Sequence, residues 1–184
     1  MNPKLAVRES RRYGKGVFAA KGPLRKHEIL FVFGGHILTA ADENQLCGSM
    51  VDKPIELSEH FSIGPRRPAD LRRMPQHYVN HSCAPNAGFY GQIFLVAMQR
   101  IKCGEEITYD YGMVMHSNED KKIGFAMRCG CRTKCCRGLI TEDDWRLPEL
   151  QKRYDGYFQW YLQEKISRLK VSAKRRALGS HSKA

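Results

Sequence analysis

No stretch of this sequence approaches the roughly 20 consecutive apolar residues that span a bilayer. The apolar run from Ile29 to Phe33 extends only weakly through Ile37 and Leu38. The opening "MNPKLAVRES" lacks the apolar centre of a secretory signal. Acidic residues are scarce beside basic ones, 19 against 31, for a net charge of +12. No internal repeat is visible. These absences lead to the expectation of a soluble, intracellular protein with no membrane partner. It would sit in the cytoplasm if the source is bacterial and in the nucleus or on chromosomes if it is eukaryotic.

What is present fits one domain of ordinary size with appendages, since 184 residues at 42% hydrophobic content fill one core. Short runs rich in Val, Ile and Phe, "GKGVFAA" and "EILFVFGG", read as strands cut by glycines. "IELSEHFSIGP" alternates like a strand, "IFLVAM" reads as a buried strand, and "EEITYDY" alternates again after the turn "KCGEE". Thr39 opens a short helix at "TAADENQL", and "RRPADLRRMPQ" is a basic connector broken by proline. Thr141 is expected as the N-cap of a helix at "TEDDW". Tyr157, Trp160, Tyr161, Ile166 and Leu169 stand near helical spacing, which predicts a packed helix from Gly156 to Val171. The fold class is therefore mainly β, a β-rich α+β arrangement.

The last stretch, "RLKVSAKRRALGSHSKA", has no sustained apolar period and is expected as a basic flexible tail over 172–184. Such a tail attracts nucleic acid non-specifically through counterion release.

Seven cysteines are an odd number, and four of them crowd into "CGCRTKCCRG". In a reducing compartment such clustering reads as metal ligation before disulfides. Cys129, Cys131 and Cys136 are spaced to meet on one ion, and zinc in a closed structural site needs a fourth N or S ligand. Cys83 is the best candidate for it. Cys135 competes with Cys136 on chemistry alone. Basic Arg128, Arg132, Lys134 and Arg137 surround the cluster and favour thiolates.

Asn80-His81-Ser82-Cys83, "GEEITYDYG" and Cys-x-Cys-x4-Cys-Arg-Gly, standing in this order after "GKGVFA", resemble the SET-domain protein lysine methyltransferases with a post-SET zinc motif, in a compact stand-alone form. The resemblance covers about Val7 to Leu139. It implies a fold of several small sheets with a knot-like crossing of the Asn-His-Ser and "YDY" segments. It also implies a SET domain over 5–115, a post-SET zinc knuckle over 125–141 and a C-terminal helical extension over 142–171.

The implied activity is methyl transfer from S-adenosylmethionine to the side chain of a protein lysine on a histone, histone-like or other protein. The resemblance further implies that Tyr13, Gly14, Lys15 and Gly16 approach the cofactor's methionine part, and that Asn80 and His81 hold its amino-acid and adenine ends. Cys83 is implied as the fourth zinc ligand. Tyr111 matches the catalytic tyrosine, beside the cofactor, and Tyr109 the position where Tyr or Phe tunes how many methyl groups are added, with Tyr favouring mono- or dimethylation.

Methyl transfer from a sulfonium to an amine is a direct displacement, so positioning and electrostatics supply most of the acceleration. An aromatic channel ending at a cation lowers the acceptor lysine's pKa by desolvation and like-charge repulsion. Two features depart from the family. No cysteine-rich segment precedes the "YGKG" turn, and His77 and Tyr78 stand where an arginine and a phenylalanine are common. The insert between about Ala40 and His77 is basic, with Arg66, Arg67, Arg72 and Arg73, and fits poorly with a basic peptide. Two other readings compete: a basic zinc module that binds nucleic acid, and a catalytically silent SET scaffold.

Overall fold

A computed structural model describes residues 1–116, 120–121 and 124–180, with 173–180 described by backbone alone. The chain begins with β1 (Leu5–Ser10), β2 (Gly14–Ala19), β3 (Ile29–Val32), β4 (His36–Thr39), the short helix α1 (Ala40–Glu43), β5 (Ile55–Glu56) and β6 (Phe61–Gly64). Two 3₁₀ turns, Asp70–Arg73 and Pro75–Tyr78, lead into β7 (Asn80–His81), β8 (Ala87–Tyr90), β9 (Phe94–Ala97) and β10 (Glu106–Tyr109). A 3₁₀ turn at Tyr111–Met113 precedes β11 (Ala126–Arg128), β12 (Leu139–Thr141), α2 (Pro148–Arg153) and α3 (Trp160–Ser180).

The described strands form small sheets in the orders β1-β2-β10-β7, β3-β9-β8, β4-β6-β5 and β11-β12. Each adjacent pair is antiparallel except β10 with β7, where Thr108 lies opposite Asn80 and Tyr109 opposite His81. Two residues make a weak strand alone, and Asn86 extends the pairing. Its backbone N–H donates to Thr108 O (3.2 Å), while its side chain accepts from Thr108 N (3.0 Å) and donates to Glu106 O (2.8 Å). The mainly β expectation holds.

One core joins the sheets to the C-terminal helices. Val17, Phe31, Phe33, Phe89, Leu95 and Ile107 are buried together with Leu150, Tyr154, Phe158, Leu162 and Ile166. Alternation in β10 and at Val17 and Ala19 of β2 supplies inward faces, as the period of two requires, while β9 is a continuous apolar run. Thr39 caps α1 through a full capping box with Asp42, as expected from its place before "AADE".

Several expectations change. "IELSEHFSIGP" is not one strand but the β5–β6 hairpin, turned at Ser58, whose hydroxyl accepts from the N–H groups of His60 and Phe61. Thr141 ends β12 instead of capping a helix; its hydroxyl bonds Asp144 Oδ1 at 2.9 Å and a 3₁₀ turn follows at Asp144–Arg146. Helix formation waits for Pro148, which suits a first turn because its missing N–H is unneeded there.

The last helix starts at Trp160, not at Gly156, whose φ of +78° takes it out of helix. It runs on to Ser180, past Val171 and through most of the stretch expected as a tail. Its buried stripe is Leu162 and Ile166, continuing from Phe158, while Trp160 and Leu169 are exposed. The remainder of the expected tail, 181–184, lies outside the described residues.

A buried ion pair fastens the cysteine-rich unit to the sheets. Asp110 is wholly buried and receives a bidentate pair from Arg137, Nη1 to Oδ2 at 2.6 Å and Nη2 to Oδ1 at 2.7 Å. Arg137 Nε also donates to Asp144 Oδ2 at 2.9 Å. Burial works against the guanidinium charge, but Asp110 and Asp144 outweigh it and hold Arg137 charged. Tyr154 Oη completes the joint, lying 3.1 Å from Asp110 Oδ2 and 3.0 Å from Cys83 O.

Removing one member of a buried pair leaves the other charge uncompensated. Arg137→Met is therefore expected to lower unfolding free energy by about 3–5 kcal/mol, read from urea denaturation. A loss below about 1 kcal/mol, the range of surface pairs, would contradict this attachment.

Candidate functional site

The thiol sulfurs of Cys83, Cys129, Cys131 and Cys136 lie within 4.8 Å of one another. Cys83 Sγ and Cys129 Sγ are 3.8 Å apart, the edge expected of a tetrahedron with metal–sulfur bonds of about 2.3 Å. The open choice at the last position is resolved by direction. Cys135 Sγ turns to Cys83 O at 3.2 Å, which leaves Cys136 with the cluster. Backbone N–H groups of Arg137 and Cys131 point at Cys83 and Cys129 sulfurs, each at 3.4 Å. Burial pushes the Cys83 thiol well up, so a thiolate there needs a cation beside it. Four convergent soft ligands with N–H support fit a structural zinc.

His81 connects this cluster to the tyrosines. Burial pushes its imidazole down to about 4, against the opposing pull of Asp110, so the ring is neutral near pH 7. Tyr111 N–H donates to Nδ1 at 3.1 Å, which assigns the ring proton to Nε2. That nitrogen faces Cys83 Sγ at 3.3 Å, where N–H donation to a thiolate is favourable. The parallel pairing of β7 with β10 puts His81 at the register that makes both contacts.

Tyr109 and Tyr111 meet with their rings tilted by 45° and their centroids 5.0 Å apart. Tyr109 also meets Phe89 and Phe33 edge-on, at 5.4 and 6.3 Å. Tyr111 packs against His81 and Phe125 and its hydroxyl donates to Val79 O at 3.2 Å. Burial raises both phenols, so both stay neutral. The Tyr109 hydroxyl has no hydrogen-bond partner among the described residues. The two rings line a narrow cavity of about 20 Å³ with Phe33, Ile55, Val79 and Met115. His77, pushed down to about 4 by burial, lines it too.

A second, larger cleft of about 620 Å³ opens beside the β1–β2 turn, His81, Ser82 and Thr133. Of the residues expected to hold a cofactor, Tyr13 and His81 line it, and Gly14, Lys15, Gly16, Asn80 and Tyr111 do not. Asn80 instead ties the β1–β2 turn down, its amide donating to Lys15 O at 3.0 Å and Glu106 Oε1 at 2.7 Å. Gly16 has a reason of its own: a Cβ there would sit 2.3 Å from Glu106 Oε1 and 3.0 Å from Asn80 Nδ2. Tyr13 Oη accepts from Gly130 N–H at 3.1 Å, so the turn leans on the cysteine unit. Burial first, then the Cys129 thiolate, pushes its phenol up to about 12.

These features match a known pattern along the chain. The sequence matches the SET domain family over residues 14–112, more than half its length. This chain belongs to the SET-domain family. The SET domain so defined contains β2, β7 and β10, and the cysteine unit follows it.

Among similar curated proteins, a probable histone-lysine N-methyltransferase, set-23 of Caenorhabditis briggsae, is 26% identical over 155 residues, covering 74% of this chain and 60% of that protein. The histone H3-lysine(4) N-trimethyltransferase ATX1 of Arabidopsis thaliana is 29% identical over 156 residues, covering 77% and 14%. The histone-lysine N-methyltransferase SUV39H2 of Xenopus tropicalis is 33% identical over 147 residues, covering 64% and 34%. The SET-domain chain thus spans less than two thirds of each of these relatives. No helix among the described residues is long and apolar enough to cross a membrane.

Sequence reasoning missed Asp110 and Asn86, and read Arg137 only as a charge beside the thiols; together they place the SET-domain tyrosines and the knuckle. Asp110 carried one signal, a carboxylate alternating between two buried phenols. Purified protein is expected to hold about one zinc per chain. Cys83→Ser should lower that content while Cys135→Ser keeps it; full zinc in Cys83→Ser would contradict the ligand set.

Proposed function

We propose that this SET-domain protein is an S-adenosylmethionine-dependent protein-lysine N-methyltransferase that adds one or two methyl groups to a histone, histone-like or other protein. The carrying observation is the aromatic-walled cavity formed by Tyr109 and Tyr111, which neighbours, through the contact of His81 with Tyr111, the cleft lined by His81 and Tyr13. The activities for which the relatives are named agree with it.

S-adenosylmethionine, when bound, supplies an electrophilic methyl group on a positively charged sulfur. The cleft's side chains suit such a ligand. Tyr13 and Phe18 offer rings, Arg8, Arg11 and Arg12 offer charge for a carboxylate, and Glu9 and Glu106 offer negative charge. In the cavity, Phe33, Ile55, Val79 and Met115 exclude water from an entering amine, which favours its neutral, nucleophilic form. No carboxylate is needed as a base inside the cavity, because the proton can leave before the amine is enclosed. Tyr111, fixed by Val79 O and by its backbone bond to His81, orients that amine. The unpaired Tyr109 hydroxyl takes a hydrogen bond from the amine or its water and leaves little room for a methylated nitrogen to turn.

The site's context supports zinc as a structural metal only, since all four thiols are committed to the cluster. The expected nucleic-acid contact through the basic tail falls on 172–184, whose side chains from 173 on lie outside the described ones. Nuclear or chromosomal placement is the reading that the chromatin-directed names of the relatives favour.

Transfer from labelled S-adenosylmethionine to core histones, a histone-like basic protein and a cell lysate tests the proposal. Wild type should label a protein lysine, and Tyr111→Phe should lower kcat by about 100-fold, the return of one well-placed transition-state contact. Tyr109→Phe should move product masses toward higher methylation. No labelling of any protein would contradict the enzyme reading, and unchanged product masses would contradict the role of Tyr109.

A further inference from the structure

Part of the charge of +12 is gathered at one end of the β1–β2 hairpin. There a cleft of about 620 Å³ is walled by Lys4, Lys21, Arg25, Lys26 and Arg100, and no carboxylate among the described residues lines it. It shares no residue with the cleft beside Tyr13 and His81 or with the tyrosine cavity. Leu5 pairs with Ala19 at this end of the hairpin and Ser10 with Gly14 at the other. Five residue steps of about 3.3 Å, roughly 17 Å, therefore separate the basic cleft from the turn that carries Tyr13.

The backbone under the cleft is fixed. Leu24 and Ile101 exchange N–H···O bonds at 2.9 and 3.0 Å, and Lys21 N–H donates to Lys4 O at 3.0 Å. Lys4 Nζ donates to Pro23 O at 3.2 Å. Segments remote in sequence are thereby held with their cations on one opening.

One of those cations is already used, since Lys4 pairs with Glu28 at 2.9 Å. Lys21, Arg25, Lys26 and Arg100 are exposed and pair with no carboxylate among the described residues. Like charges gathered on one cleft repel one another, and an entering anion relieves that cost. Glu28 does not relieve it, because it is spent on Lys4 and on the N–H of Arg25.

Which anion fits follows from the rest of the wall, Gly22, Pro23 and Leu24. It has no ring on which an unpaired base could stack. With Leu24 wholly buried, it has no large apolar side chain to enter a bilayer. The four free cations are long and exposed, which suits a row of phosphates better than a small ligand that needs enclosure. A nucleic-acid duplex carries one charge per roughly 1.7 Å of its axis, so several phosphates fall within the width of the cleft.

We propose that this cleft is a docking site for the phosphodiester backbone of duplex nucleic acid, held without regard to base sequence. The proposal concerns binding alone and does not rest on the methyltransferase reading. It is also separate from the contact expected through 172–184.

The test is fluorescence anisotropy of the full chain with a short labelled DNA duplex over a series of salt concentrations. One variant combines Lys21→Gln, Arg25→Gln, Lys26→Gln and Arg100→Gln. A control of the same net charge combines Arg72→Gln, Arg73→Gln, Lys152→Gln and Lys170→Gln, whose side chains are exposed and lie outside the cleft. Neither set removes a buried group or an ion pair, so both chains should fold.

The logarithm of affinity falls with the logarithm of salt by about 0.9 for each phosphate neutralised. Loss of the cleft cations should flatten that slope by about 3–4 and weaken binding at low salt by about tenfold or more. The control should keep the slope and stay within a few-fold of wild type. Equal losses in the two variants, or no binding of the duplex by wild type, would overturn the proposal. So would a preference, lost with the cleft cations, for a single strand or for vesicles of anionic phospholipid over the duplex.

Discussion

The parallel pairing of Asn80–His81 with Thr108–Tyr109 is the constraint on which the rest of the site depends. It is short, two residues against two, and it joins segments far apart in sequence. By fixing His81 beside Tyr109 it sets Tyr111 N–H against the imidazole, and it turns Cys83 toward the knuckle sulfurs. Asn86, standing in for a further strand residue, holds the crossing where the strand itself runs out. A one-residue slip in this register would send each of these side chains to the opposite face.

Around that crossing, buried polar groups on β7 and β10 are matched to one another. His81 is neutral and uses both ring nitrogens. Asp110 is charged against Arg137, Tyr154 and the Gly112 N–H. Such networks rigidify when fully satisfied and cost heavily when one member is lost. The cysteine knuckle, the imidazole and the two tyrosines therefore form one mechanical unit. The knuckle contributes Gly130 to Tyr13 and Thr133 to the cleft, so its geometry reaches the cleft at two points.

Much of this was legible from residue types at fixed spacings. Strands β2, β9 and β10, the Thr39 cap and the four-cysteine cluster follow from local chemistry, and Cys83 follows from a ligand count. The choice between Cys135 and Cys136 was not legible, since adjacent thiols differ only in where the backbone aims them. Thr141 misled because its hydroxyl finds Asp144 in a turn as readily as an N–H in a helix. The last helix was misplaced because an aromatic run hides which residues face inward; Phe158, Leu162 and Ile166 do, and Trp160 does not.

In the proposed function the cysteine knuckle completes the cofactor cleft through Cys83, His81 and Tyr13. Calorimetric titration of S-adenosylmethionine into zinc-loaded and chelator-stripped protein tests it most directly. Affinity should fall by about tenfold or more on stripping, the scale of losing outer-shell support for a bound group, and return when zinc is restored. Equal affinity in a stripped chain that keeps its β-sheet signal would contradict the account.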